Sequence, residues 1–283
     1  MLNSPISYMG SKRRLLNQIL PYFPKDINTF YDLFAGGGAV SLNTPAKTVV
    51  WNDLEIPLVN MFSTLATLTP LHISALKAEL LDLNTSKEKF LQLRDAYNNF
   101  PMDDYDRSLT LYKLIILSFN GLPRFNSKGK YNMPWGQKKR VGKESYINKK
   151  IKDLSKFVEY AQSNYFMWST TSYQNVIKSN LITPDDFVYL DPPYSLTDAT
   201  YMKSNFWTED QDMDLWEYLE KLDDMGLKFA MSNVLSHSGK VNQTLTDLAS
   251  SGEFKMVHLN MDYSNSTYHT KNGKSDEVLI MNY

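Results

Sequence analysis

The 283 residues contain no cysteine, so disulfide bridges, thiolate metal sites and cysteine nucleophiles are excluded at once. Histidine is nearly as scarce. The four present, His72, His237, His258 and His269, lack the spacing that ligates a metal, and no metal centre is expected. No apolar run approaches the length of a bilayer span, and the opening MLNSPISYMGSKRRLL has no apolar core of signal-peptide length. These absences predict an intracellular, soluble chain with no membrane partner. Neither a Gly-x-Gly-x-x-Gly fingerprint nor a glycine run ending in a Walker lysine occurs. The first absence weakens a dinucleotide reading, and the second argues against a nucleotide triphosphatase. An excess of one charge is missing too: 30 basic against 31 acidic residues leave a net charge of −1. The total therefore points to no polyanionic partner.

What is present is a globular composition, 42% hydrophobic and 13% aromatic, in a chain long enough for one or two domains. Short apolar segments rich in aromatic and β-branched residues recur at 29–34, 48–53, 165–170, 186–191, 228–233, 255–260 and 278–283. Helical patterns lie between several of them, at 11–20, 209–225 and 238–250. Strands alternating with helices predict a doubly wound α/β fold around a mostly parallel, seven-stranded sheet. No helix pattern separates the last two segments, so an antiparallel pair is expected there. From 56 to 159 the apolar residues instead repeat with helical spacing, as in PLHISALKAELLDL and RSLTLYKLIILSF. The expected division is an α/β domain of residues 1–55 and 160–283, interrupted by a mostly helical domain of 56–159. The balanced total also conceals a local field, because Arg124 to Lys143 holds seven basic residues and no acidic one.

Two stretches carry chemistry. FVYLDPPYS ends an apolar strand in a carboxylate, and Pro192 and Pro193 then stiffen the chain while offering carbonyls but no N–H. A carboxylate, carbonyl oxygens and an aromatic face at the C-terminal end of a strand sit where open α/β sheets bind ligands. A plain tight turn is the simpler alternative. The other stretch is DLFAGGGAV after the first strand, where consecutive glycines permit positive φ and close approach of a ligand to the backbone. Asp53 follows the last of these glycines by about 15 residues, at the end of the next strand. An acid there can accept both ribose hydroxyls, though capping the following helix is an equally ordinary role. A cofactor with an adenosine but no phosphate fits best, namely S-adenosylmethionine.

DLFAGGG followed later by DPPY resembles the DNA amino-methyltransferases that modify adenine N6. The order of cofactor loop, recognition insert and DPPY is similar to their Dam group. SYMGSKRRLL (7–16), FNGLPRFNSKGKYNMPWG (119–136) and SDEVLIMNY at the C-terminus extend the resemblance over essentially the whole chain. It implies an S-adenosylmethionine-dependent fold whose insert is a DNA target-recognition domain. Cofactor contacts are implied for Tyr8, Lys12, Phe34, Gly36, Asp53 and Asp191, with tyrosine at position 8 where many members have tryptophan. The adenine amine is a poor nucleophile because its lone pair is delocalised into the ring. The Asp191 carboxylate and Pro192 carbonyl would accept from its two N–H bonds, and Tyr194 would stack on the base. No nucleophilic side chain is needed, in keeping with a chain that has no cysteine.

A base inside a duplex must be flipped out to reach such a site. Phe119 can wedge into the stack, Asn120 can pair with an exposed base edge, and Arg124 can donate twice to a guanine. Asn126 is a further DNA contact of this segment, and Lys128 and Lys139 can engage phosphates. The expected partner is double-stranded DNA, methylated within GATC or a related site. A cognate restriction endonuclease, a monomer or weak dimer, and a bacterial or phage-encoded cytoplasmic enzyme complete the expectation. An RNA or protein-amide methyltransferase, or a catalytically inactive DNA-binding relative, stays open as the alternative.

Overall fold

The computed structural model describes residues 1–136, 144–178, 182–194, 196, 207–260 and 275–283. By internal contacts the chain falls into two compact units. One comprises residues 1–11, 35–43 and 51–170, and the other residues 12–34, 44–50 and 171–283.

The strands are β1 (Thr29–Asp32), β2 (Thr48–Asn52), β3 (Tyr165–Ser169), β4 (Phe187–Leu190), β5 (Lys228–His237), β6 (Lys240–Val241), β7 (Lys255–Leu259) and β8 (Ser275–Met281). They form one sheet in the order β3-β2-β1-β4-β5-β8-β7, with β6 paired to β5. All seven expected strands are present, and the two-residue β6 makes an eighth. β4 runs parallel to both β1 and β5, and β8 runs antiparallel to both β5 and β7. The expected antiparallel closing pair is thus observed.

β4 reads as an unbroken apolar run because both of its faces are covered. Phe187 and Tyr189 join Phe23 and Phe30 on one face, with the Phe23 and Phe187 rings 4.7 Å apart and edge-on. Val188 and Leu190 pack on the other face with Leu215, Leu219 and Leu222 of a helix at Glu209–Asp224. All four strand residues are buried. A rigid, dry strand therefore delivers Asp191 to its end.

The helical pattern expected at 238–250 begins late, at Gln243. Ser238 and Gly239 both adopt positive φ, +50° and +84°, between the paired residues His237 and Lys240. Two positive-φ residues are what a tight hairpin needs, and the hairpin takes the residues that would have opened the helix.

Among the described residues, the unit that contains residues 51–170 carries five long helices. We number the helices in chain order from α1 (Leu16–Ile19): α2 (Ile56–Ala66), α3 (Pro70–Leu83), α4 (Lys87–Asn99), α5 (Asp104–Leu117) and α6 (Glu144–Ser163) follow. Their starts are encoded locally. Thr69 and His72 form a capping box, and Ser86 and Asp103 each accept a backbone N–H of the first turn. Pro57 and Pro70 sit in first turns, where no N–H is required. Trp51, Phe62, Tyr112 and Phe157 are fully buried at the centre of this core.

Candidate active site

In the unit containing β4, three expected residues meet. The Lys12 ammonium lies 2.8 Å from Asp191 Oδ1, and the two side chains are only 5% and 17% exposed. Lys12 also donates to the Tyr194 hydroxyl, which in turn donates to Asp191 Oδ1 at 3.0 Å. The ammonium stands 4.9 Å from the centre of the Tyr194 ring. Both contacts to Asp191 use Oδ1, so Oδ2 takes no hydrogen bond from the described residues.

Burial pushes the Asp191 carboxyl above the usual carboxylate range, and the Lys12 charge pulls it back. Burial, followed by the adjacent Asp191, pushes the Tyr194 phenol well above its ordinary range. Tyr194 therefore stays a neutral donor, and Lys12 first and the Tyr194 hydroxyl second favour an ionised Asp191. Lys12 itself leads a 3-10 turn, Lys12–Arg14, that runs into α1. Pro192 is buried directly after Asp191.

Phe34, a few residues beyond β1 in the same unit, belongs to an aromatic cluster that no motif announces. Its ring centre is 5.5 Å from Tyr173 and 5.9 Å from Trp207, the latter edge-on. Trp207 is fixed by an indole hydrogen bond to Asp212 at 2.6 Å. Neither Tyr173 nor Trp207 was expected from the sequence. Only proximity in the fold identifies them.

The glycine turn lies in the other unit, and its geometry explains each glycine. Gly36 and Gly38 have φ of +48° and +71°. A Cβ on Gly36 would come within 2.5 Å of the Tyr8 ring, and one on Gly37 within 2.5 Å of Tyr8 Cβ. A Cβ on Gly38 would overlap Trp51 at 1.7 Å. Tyr8 and Trp51 of the chain itself thus pack closely against the glycine backbone.

Asp53 braces this turn. Its Oδ2 accepts the Gly36 N–H at 2.8 Å and its Oδ1 the Glu55 N–H at 2.9 Å. Glu55, rather than Asp53, occupies the N-cap position of α2. Burial raises the Asp53 carboxyl, and the Glu55 and Gly36 N–H groups oppose that rise. Glu55 is pushed up to about 6, first by burial and then by the Asp53 charge.

The expected DNA-reading segment folds as an irregular hairpin in the same unit. Ser118 pairs with Trp135 and Phe125 with Tyr131, both antiparallel. Phe119 is 51% exposed, and Asn120 is exposed with φ +60°, a strained value for a non-glycine residue. Asn126 shapes the turn: its Oδ1 accepts the backbone N–H groups of Lys128 and Lys130 at 2.9 and 3.0 Å. The Lys128 side chain is exposed beyond it. Arg124 is bound to Asn132, its Nε at 2.7 Å from Oδ1 and its Nη2 at 3.1 Å from the Asn132 carbonyl. Asn132 was not among the expected residues. Its signal was the FNSKGKYN pattern, two aromatic-Asn pairs flanking a Ser-Lys-Gly turn, which reads as a hairpin. Lys139 lies outside the described residues, as do Lys138, Arg140 and Lys143.

A mostly parallel sheet with a glycine turn after β1, an acid after β2 and Asp-Pro-Pro-Tyr after β4 is consistent with the α/β methyltransferase fold. The family model of the D12 class N6 adenine-specific DNA methyltransferases matches residues 8–265. The chain belongs to that family. It is 37% identical over 290 aligned positions to a protein named modification methylase StsI from Streptococcus sanguinis, covering 100% of this chain and 43% of that protein. It is 35% identical to the type II methyltransferase M.FokI of Planomicrobium okeanokoites, with the same two coverages. Against the DNA adenine methylase of Escherichia coli K12 the identity is 26%, over 81% of this chain and 79% of that one. The chain thus spans about two-fifths of the length of the first two relatives. No helix among the described residues is long and apolar enough to cross a membrane.

Proposed function

We propose that the chain transfers a methyl group from S-adenosylmethionine to N6 of an adenine flipped out of duplex DNA, within GATC or a related site. The observation that carries this reading is the buried Lys12–Asp191–Tyr194 triangle at the end of β4. It presents a carboxyl group whose ionised form is supported by the Lys12 charge and the Tyr194 hydroxyl against the effect of burial, and it needs no nucleophilic side chain, which suits direct transfer to an amine.

S-adenosylmethionine, when bound, supplies an electrophilic methyl group on a sulfonium. The residues present fit such a molecule. A carboxylate has about four acceptor positions, and Asp53 uses two of them on Gly36 and Glu55. The remaining two are suited to a pair of ribose hydroxyls. The flat faces of Phe34, Tyr173 and Trp207 suit a purine. We assign these residues, with Tyr8, Lys12, Gly36 and Asp191, to the cofactor.

At the reacting amine, Asp191 and the Pro192 carbonyl accept from the two N–H bonds. The nitrogen then moves toward tetrahedral geometry and its lone pair becomes available. The prolines hold both acceptors in place, so little reorganisation is needed as charge develops. Tyr194 offers its ring face to the base while Asp191 accepts its hydroxyl proton. The alkylated nitrogen is strongly acidic and loses its proton without a dedicated base.

The helical domain of residues 56–159 is assigned to target recognition. Within it Phe119, Asn120, Arg124 and Asn126 meet the bases and flanking backbone, and Lys128 and Lys139 meet phosphates. A cognate restriction endonuclease is the partner that the modification-methylase relatives suggest. A bacterial or phage-encoded cytoplasmic enzyme acting as a monomer or weak dimer completes the proposal.

Incubation with methyl-labelled S-adenosylmethionine and, separately, duplex DNA, RNA and protein tests the reading. Label should appear in duplex DNA as N6-methyladenine. Label confined to RNA or protein would move the substrate class, and none anywhere would leave only a binding protein.

A further inference from the structure

We propose that Asn132 is a specificity-determining positioning residue that orients Arg124 for base reading, on a hairpin segment that hydrogen bonds tie to α4. The inference rests on the DNA-methylating function proposed above and adds to it a residue that contributes through another side chain.

The geometry is specific. Asn132 takes two N–H groups of one guanidinium, Nε through its amide oxygen and Nη2 through its main-chain carbonyl. Two acceptors from a single residue define the plane of the arginine head as well as its position. The two residues are also linked through the main chain, where the Asn132 N–H donates to the Arg124 carbonyl at 3.1 Å. Asn126, six residues earlier on the same hairpin, behaves differently, because among the described residues its Oδ1 accepts main-chain N–H groups and so builds the turn.

The segment carrying Asn132 is itself tied to α4 at the residues before and after it. Asn98 of α4 donates to the Tyr131 carbonyl and accepts the Tyr131 N–H, each at 2.9 Å. Arg94 of α4 donates to the Met133 carbonyl at 2.9 Å. Residues 131 and 133 are therefore tied to a helix, and the side chain between them is left to grip Arg124. An arginine held in one orientation before DNA arrives loses less rotamer freedom on binding, and a wrong base cannot be met by a small readjustment. A neutral amide suits this task. It fixes the guanidinium without cancelling its charge, whereas an aspartate would bring a carboxylate toward the DNA backbone.

The test is a double-mutant cycle read on duplexes altered one base pair at a time within the site mapped for the unaltered chain. Methylation rate and binding affinity are both measured, and melting curves accompany each variant. Asn132→Ala should lower preference at one base pair by at least about fivefold, the lower end of what a bidentate arginine–guanine contact discriminates. That base pair should be the one affected by Arg124→Ala, and combining the two changes should cost no further preference. Asn132→Asp should keep the preference while weakening binding to every duplex. The proposal is overturned if Asn132→Ala slows all duplexes by one factor, or if it adds a full further loss in the Arg124→Ala background. Should the unaltered chain bind duplex DNA selectively yet methylate none, the functional reading fails and the binding cycle alone decides the role of Asn132. Binding to no duplex overturns both.

Discussion

The Lys12 ammonium sits 2.8 Å from Asp191 Oδ1, so a buried carboxylate carries its own counter-ion. Burial raises the Asp191 carboxyl, and the Lys12 charge opposes that rise. Lys12→Met removes that charge at similar length. Because a raised carboxyl pKa extends the protonated range upward, the acid limb of the pH–rate profile should move to higher pH in this variant. A limb that stays in place or moves to lower pH would show that Lys12 does not set the charge of Asp191.

Asp53 has two tasks in one carboxylate, holding Gly36 and remaining able to accept further donors. Asp53→Ala should weaken S-adenosylmethionine binding by about 1–3 kcal/mol, the scale for hydrogen bonds to a charged group. DNA affinity measured without cofactor should barely change. Normal cofactor binding by calorimetry would reduce Asp53 to a brace for the glycine turn.

Glu55 is raised to about 6 from an ordinary value near 4.5. The folded state therefore binds the extra proton between those two pH values, and stability is lost as pH rises through the window. Glu55→Gln should melt at a higher temperature than the parent at pH 7.5, with the difference gone by about pH 4.5. A gain that persists unchanged in acid would assign it to something other than this charge.

Gly38 and Gly129 both adopt positive φ, +71° and +70°, but an added Cβ meets Trp51 at 1.7 Å in the first and nothing within 4 Å in the second. Gly38→Ala should destabilise the chain by roughly 2–4 kcal/mol through overpacking and backbone strain together. Gly129→Ala should cost only about 1–2 kcal/mol, from the left-handed backbone alone. Denaturant melts of the two variants check the difference, and equal losses would mean that Trp51 yields easily.

How much of this was legible depended on how local each signal is. β4 could be read because burial on both faces leaves a continuous apolar run, and the prolines after Asp191 mark where it stops. FNSKGKYN carries a turn signal for the hairpin at 125–131 that was not read, and the grip of Asn132 on Arg124 has no local signal at all. Lys12 and Tyr194 stand 182 positions apart, and nothing in periodicity links such a pair. The resemblance nominated both, but for separate roles. Phe34 was likewise nominated without its neighbours Tyr173 and Trp207, which only the fold brings to it. The late start of the helix at Gln243 was missed although Ser-Gly at 238–239 is a turn signal, because the helical spacing of the residues after it was extended back across the turn.

The central claim is that Asp191 prepares an adenine amine for methylation. Its most direct test is single-turnover methyl transfer to a mapped duplex, comparing the unaltered chain with Asp191→Ala, with cofactor occupancy held saturating for both. The account predicts N6-methyladenine from the unaltered chain and a rate lower by about 10²-fold or more in the variant, the scale for losing one preorganised electrostatic contact. A variant within tenfold of the parent, or a methyl group found on any atom other than adenine N6, would contradict it.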